Sequence, residues 1–155
     1  MEPLAVGIHS VSNLGGFRTD QTIAVFGCGP IGLLCMAVAK AVGASRIIAI
    51  DIVPDRLDFA KAYAATETYL PIKHEEGENN VDYSRRNAAN MKKMLNIDDR
   101  GKNSIDLVID ASGAEVSIQT AIYIAKSGGT FVQVRKSLPP CLHLTSARLG
   151  WVIRM

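Results

Sequence analysis

The segment Thr22-Ile-Ala-Val-Phe-Gly-Cys-Gly-Pro-Ile-Gly32 contains the feature that decides the fold. Its first five residues are mostly apolar and rich in β-forming side chains, which is typical of a strand buried on both faces. Three glycines follow in the spacing Gly-x-Gly-x-x-Gly. Pro30 suits the first turn of a helix, because its missing N–H is not needed there. The segment therefore predicts a strand, a tight glycine turn and a helix that begins at Pro30.

The rest of the chain continues this alternation of buried strands and helices. Further strands are predicted at residues 46–50, 68–70, 105–109 and 130–134. Helical patterns cover residues 30–42, 54–64, 82–95 and 115–126, with a weaker one at residues 2–13. Strands that alternate with helices of this length form a parallel sheet through right-handed crossovers. The predicted fold class is α/β, a doubly wound parallel sheet of about five strands.

The three glycines predict a dinucleotide-binding turn. Gly27 permits the tight turn, Gly29 lets the backbone approach a pyrophosphate, and Gly32 lets the helix pack closely on the strand. The phosphates would then meet free N–H groups at the positive end of the helix. The alternative is a strand-to-helix turn whose glycines serve geometry alone.

An acid at the end of the second strand supports the nucleotide hypothesis. Asp51 follows Gly32 by 19 residues and would accept hydrogen bonds from the adenosine ribose hydroxyls. A 2′-phosphate beside it would cost about 1–4 kcal/mol in like-charge repulsion, so NAD is favoured over NADP. Arg56 would stack on the adenine or brace the ribose, or is an ordinary surface arginine. A methyltransferase also has an acid at this strand end, but it usually has another acid where Phe26 stands here.

Composition excludes several other classes of protein. The chain has 155 residues and a net charge of +2, and residues 135–155 hold four basic residues and no acid. A short basic segment with one tryptophan is weak support for nucleic-acid binding, so no nucleic-acid partner is expected. No long uncharged apolar run is present, so no membrane span is expected. The start resembles no secretory signal, and three cysteines without paired spacing favour a reduced, cytoplasmic location.

The strand and helix pattern ends at Val134. Residues 1–134 are therefore predicted to form the nucleotide-binding domain, with residues 1–16 as a linker helix. Two prolines at Pro139 and Pro140 break any regular element, and residues 142–155 show neither helical nor strand periodicity. Residues 135–155 are predicted to be an irregular basic tail.

Five segments together resemble the zinc-dependent medium-chain dehydrogenases. They are Glu2-Pro-Leu-Ala-Val6, Val25-Phe-Gly-Cys-Gly-Pro-Ile-Gly32, Asp51 with Arg56, Ala111-Ser-Gly113, and Gly128-Gly-Thr-Phe-Val-Gln-Val134. The branch that they resemble is the polyol dehydrogenases acting on sorbitol, xylitol or arabinitol. The resemblance covers residues 2–134 and implies a Rossmann-fold domain that binds NAD. The complete proteins oxidise a polyol to a ketose by hydride transfer to NAD, with zinc polarising the alcohol oxygen, and are usually homo-oligomeric.

The resemblance also implies which residues bind the cofactor. Ala111–Gly113 and Val134 would lie near the nicotinamide. The full cofactor-binding set is Gly27, Gly29, Pro30, Ile31, Gly32, Asp51, Arg56, Ala111, Ser112, Gly113 and Val134. Glu2 matches a glutamate that approaches the catalytic zinc, directly or through water, and its alternative is an exposed N-terminal acid.

The chain departs from the family at both ends. It has no Gly-His-Glu segment, and its three histidines, His9, His74 and His143, lie apart from cysteines. We therefore expect that this chain binds no zinc, contains no catalytic residue and lacks the preceding catalytic domain. Arg135 stands where the family has a glycine, and the family's sixth strand is not recognisable, so the chain is expected to be truncated at both ends. The alternatives are a non-catalytic nucleotide-binding or interaction module and an unstable product.

Overall fold

The apolar runs form a six-stranded sheet in the computed structural model, which describes residues 2–134 and the backbone of residues 151–154. Five strands run parallel and a sixth pairs antiparallel with the fifth. The spatial order is β3-β2-β1-β4-β5-β6. The strands are β1 (Thr22–Phe26), β2 (Arg46–Ile50), β3 (Glu67–Tyr69), β4 (Ile105–Asp110), β5 (Ala125–Gln133) and β6 (Trp151–Arg154).

Helices connect the parallel strands. The second and third helices each begin at a proline. The second is capped by Gly43, whose φ of 94° is the left-handed conformation of a helix cap. The helices are α1 (Glu2–Ile8), α2 (Pro30–Val42), α3 (Pro54–Tyr63), α4 (Asn80–Leu95) and α5 (Glu115–Ile124). A π-helical segment, His9–Leu14, extends α1.

The sheet is covered on both faces, as the apolar strands predict. Alternate side chains of the central strands, such as Ile23 and Leu107, pack with α2 and α3 on one face. The side chains between them, such as Ala24 and Val108, pack with α4 and α5 on the other. The strand order reverses between β1 and β4, which is where ligands bind in sheets of this kind. The parallel five-strand core of the predicted α/β fold is thus confirmed.

The structure differs from the prediction in the fifth strand and after it. Ser127-Gly128-Gly129 does not stop a helix, because α5 already ends at Ile124 and β5 begins at Ala125. The pairing shifts from Ile105–Ala125 to Leu107–Thr130, so the glycines form a bulge within β5.

The prediction of an irregular segment at residues 135–155 is wrong at residues 151–154. These form β6, which pairs antiparallel with the outer edge of β5. A run of four residues is too short to show a periodicity. The open edge of β5 supplies the hydrogen-bonding groups for this strand, and the local sequence does not reveal that edge. The rest of the predicted tail lies outside the described residues.

Candidate functional site

The glycine turn joins β1 to α2 with almost no space for side chains. Gly27 has a φ of +92°, and its N–H donates a 2.7 Å hydrogen bond to the carbonyl of Ile50. A Cβ at Gly27 would lie 3.0 Å from the backbone nitrogen of Ser112. A Cβ at Gly32 would lie 1.8 Å from the carbonyl oxygen of Gly27. The first and third glycines are therefore required by the turn itself.

Gly29 differs from its neighbours because open space lies above it. It has ordinary extended backbone angles, with φ −75° and ψ −179°, and a Cβ built on it meets no atom within 4 Å. It precedes α2, whose first turn leaves backbone N–H groups without intrahelical acceptors. The helix dipole adds positive potential at the same place. The second glycine thus leaves room for an anion rather than for packing.

Asp51 lies at the end of β2, beside the glycine turn. Its side chain is buried, and its two oxygens accept separate backbone hydrogen bonds: Oδ2 from the N–H of Cys28 at 2.7 Å and Oδ1 from the N–H of Val53 at 2.9 Å. These bonds fix the orientation of the carboxylate, while each oxygen retains a lone pair. The guanidinium Nη1 of Arg56 lies 4.0 Å from Oδ2 on a side chain that is 59% exposed. The acid and the turn are therefore held as one unit.

The loop Ala111–Gly113 crosses over the same edge of the sheet. The N–H of Ala111 donates to the carbonyl of Phe26 at 2.8 Å, and the N–H of Val134 donates to the carbonyl of Asp110 at 2.9 Å. The ends of β1, β4 and β5 are joined by these two bonds. Ala111 and Val134 consequently lie close to the first turn of α2.

Asp110 is a site residue that the sequence analysis did not select. Its carboxylate is fully buried, and Oδ1 accepts hydrogen bonds from the N–H and the hydroxyl of Ser112, at 3.0 and 2.6 Å, and from the N–H of Gly113 at 3.2 Å. Burial raises the pKa of Asp110, and the hydrogen bonds from Ser112 and Gly113 oppose that shift. The available signal was its position, since it ends a buried strand as Asp51 does.

One cavity unites most of the predicted cofactor-binding residues. It has a volume of about 370 Å³ and is lined by Val6, residues 29–32, Ala111 and Val134. This volume lies in the range of small-molecule sites. Gly27 forms the turn beneath it, whereas Ser112 and Gly113 lie in the adjoining loop and do not line it. Asp51 and Arg56 lie outside the lining, on the β2 side of the turn.

Ile52 is a second residue that the sequence analysis missed. It follows Asp51 directly, and its apolar side chain is 78% exposed. It borders a small cavity of about 30 Å³ with Phe26 and Pro71. Only the three-dimensional structure distinguishes it from the buried isoleucines of β2, because the sequence does not show that its side chain is exposed.

The described residues form no zinc site. Glu2 is exposed at the start of α1. Within residues 2–134 no group of three or more His, Cys, Asp or Glu side chains could hold a metal ion. Cys28 and Cys35 are buried in the core, and burial raises the pKa of each thiol to about 12. The role of Glu2 stays a prediction. No helix in the described part of the chain has the length and apolar character needed to cross a membrane.

Comparison with known proteins agrees with this geometry. A family model described as zinc-binding dehydrogenase matches residues 30–143. The chain belongs to the zinc-binding dehydrogenase family. Within this family, it is 47% identical over 133 residues to the probable D-xylulose reductase A of Aspergillus niger and 50% identical to that of Neosartorya fischeri. Each match covers 86% of this chain and 34% of the relative, so the chain spans about a third of the length of these curated relatives.

Solved structures of two dehydrogenases share the fold. Alcohol dehydrogenase TADH from Thermus sp. ATN1 superimposes with a TM-score of 0.66 at 28% identity, over 93% of this chain and 37% of that one. Galactitol-1-phosphate dehydrogenase from Escherichia coli superimposes with a TM-score of 0.69 at 28% identity, over 93% and 36%. The predicted family and fold are thereby confirmed, and the chain corresponds to the cofactor-domain region of this oxidoreductase family.

Proposed function

We propose that this chain is the NAD-binding domain of a polyol dehydrogenase, a protein that interconverts a polyol and a ketose. The observation that carries the proposal is the 2.7 Å hydrogen bond between the N–H of Cys28 and Oδ2 of Asp51. It holds a ribose acceptor against a turn that is open above Gly29. The names of the relatives, D-xylulose reductases, support a ketose as the carbonyl substrate of the complete protein.

The proposed cofactor position follows the carboxyl edge of the sheet. The pyrophosphate lies over Gly29 at the start of α2, where backbone N–H groups and the helix dipole favour negative charge. The adenosine ribose lies at Asp51, and the exposed face of Ile52 supports the adenine. In a doubly wound sheet the second nucleotide half lies across the switch point, which supports a nicotinamide position near Ala111 and Val134. Arg56 braces the adenosine end from its exposed position on α3.

The described residues contribute binding and orientation. Bound NAD supplies hydride acceptance, which is the chemistry of the cofactor itself. Asp51 selects the ribose hydroxyls and disfavours a 2′-phosphate through like-charge repulsion. The cavity wall formed by Val6, Ala111 and Val134 is apolar, which suits a flat ring. The chain spans about a third of the length of its relatives, and we expect no polyol oxidation by this chain alone.

Titration of NADH into the folded chain tests the proposal. We expect saturable binding, weaker binding of NADPH, and a loss of roughly tenfold or more in NADH affinity in Asp51→Ala, since hydrogen bonds to a charged group contribute about 1.5–3 kcal/mol. Asp58→Ala is the matched control, because Asp58 is an exposed acid on the neighbouring helix α3. A folded chain that binds no NADH would refute the proposal. A partner complex that is independent of nucleotide and insensitive to Asp51→Ala would favour the interaction-module alternative.

A further inference from the structure

Asp110 stands at the point where three strand ends meet. Its carbonyl accepts the N–H of Val134, and the next residue, Ala111, donates its N–H to Phe26 at the end of β1. Asp110 is thus connected through backbone bonds to both neighbours of β4. Its position links the cavity wall to the centre of the sheet.

The carboxylate of Asp110 is buried, and it has no cationic partner among residues 2–134. Within residues 2–134 no Lys, Arg or His side chain forms an ion pair with it. All of its described hydrogen bonds come from the two residues Ser112 and Gly113, including a 3.2 Å contact from the Gly113 N–H to Oδ2. A buried charge is expensive, and a neutral side chain would pack the same space at lower cost. The carboxylate therefore fixes the shape of this one loop.

The shape of that loop determines the cavity wall. Gly113 has a φ of +72°, so the chain turns sharply just after the strand. The turn holds the backbone of Ser112 close to Gly27, where an added Cβ would lie only 3.0 Å away. It also leaves Ala111 facing the cavity with Val134 and residues 29–32. A loop that relaxed away from Asp110 would change the wall on the β4 side and leave the Asp51 side intact.

We propose that Asp110 is a positioning residue for the nicotinamide half of the cofactor, acting through the hydrogen-bonded loop Ala111–Gly113. The proposal rests on the proposed NAD-binding function. Asp110 itself does not contact the cofactor. Its consequence is an asymmetry: loss of the carboxylate weakens a ligand that reaches the β4 side, whereas a ligand confined to the β2 side and the first turn of α2 is unaffected.

Comparing NADH with ADP in the full chain tests this asymmetry. ADP carries the adenosine and phosphate groups but has no nicotinamide half. In Asp110→Asn we expect NADH affinity to fall by about tenfold, the effect of losing one charge-assisted hydrogen bond, with ADP affinity changed by less than about twofold. In Ser112→Ala, which removes the hydroxyl that donates to Asp110 and accepts the N–H of Ala114, we expect a smaller loss for NADH, about threefold, and again none for ADP.

Asp106→Asn provides the matched control on the same strand. Asp106 lies at the opposite end of β4, where Oδ2 accepts the N–H of Thr22 at 2.8 Å and Oδ1 contacts Lys126. This variant should lower the thermal unfolding temperature without changing the ratio of NADH to ADP affinity. Thermal unfolding of every variant shows whether a loss of binding follows a loss of folded protein.

The outcomes separate the two proposals. Equal losses for NADH and ADP in Asp110→Asn, or unchanged NADH affinity, overturn the positioning role while the NAD-binding function stands. If Asp110→Asn does not fold, Ser112→Ala decides by the same ratio. A wild-type chain that binds neither ligand overturns the NAD-binding function and the positioning role with it.

Discussion

Replacing Gly29 by alanine separates the folding role of the glycine turn from its binding role. The backbone of Gly29, at φ −75° and ψ −179°, is one that alanine adopts without strain, and the added Cβ meets no atom within 4 Å. Alanine also reduces the conformational entropy of the unfolded chain. The free energy of unfolding should therefore stay the same or rise by about 0.4–1 kcal/mol.

The same methyl group occupies the space into which the pyrophosphate would fit. A phosphate oxygen that accepts a backbone hydrogen bond must come within about 2.7–3.2 Å of the nitrogen, which brings it against the new Cβ. Losing one hydrogen bond to a charged group costs about 1.5–3 kcal/mol, so the Kd for NADH should rise by roughly 10- to 100-fold.

Two measurements on the same sample test this prediction. Urea unfolding gives the stability of Gly29→Ala, and fluorescence titration gives its affinity for NADH. Adenosine serves as the control ligand, because it has no phosphate and should bind wild type and variant alike. A stable variant that binds NADH as tightly as the wild type would refute the assignment of the space above Gly29 to a pyrophosphate.

Two further substitutions test the turn and a surface ion pair. Gly32→Ala places a Cβ 1.8 Å from the carbonyl oxygen of Gly27, so we expect urea unfolding to show a loss of about 1–3 kcal/mol, and undiminished stability would contradict this. The hydrogen bond from Arg86 lowers the pKa of Glu78 from 4.5 to about 2, so its contribution to stability is complete above about pH 4.5 and is lost as the pH falls towards 2. Glu78→Gln should therefore lower the melting temperature at pH 7 and match the wild type near pH 2. Glu76→Gln, at an exposed neighbour, should leave the dependence of the melting temperature on pH unchanged. If Glu78→Gln and the wild type differ in melting temperature by the same amount across this pH range, the ion pair does not make this contribution.

The sequence could predict the part of the site that is formed by residues close together in the chain. The strand, the three glycines and the proline at the start of α2 are eleven consecutive residues, and their spacing alone specifies the turn. Asp51 was predictable as well, because it ends the next strand. That its Oδ2 accepts the N–H of Cys28 was not, since the bond joins residues 23 positions apart and depends on the pairing of β1 with β2.

The missed features depend on tertiary contacts. Asp110 begins an Asp-Ala-Ser-Gly sequence that is typical of any polar turn, and only its complete burial marks it as unusual. Ile52 follows Asp51 and becomes distinctive only because its side chain is exposed beyond the end of the sheet. The backbone of β6 pairs with β5 across a gap in sequence that no local pattern spans. Burial and pairing decide all three, and neither is a property of a short segment.

The burial of Cys28 makes the modification rate of its thiol a measure of how often the glycine turn opens. The residue is 3% exposed, and burial, together with the charge of Asp51, raises the pKa of its thiol to about 12. Alkylating reagents attack the thiolate, so in the closed turn the reaction is slow for two reasons, access and protonation. The rate at which Cys28 is modified thus reports how often the turn opens. The modification rate of Cys35, which lies within α2, reports how often that helix opens. A ligand held by the turn should slow the first rate more than the second.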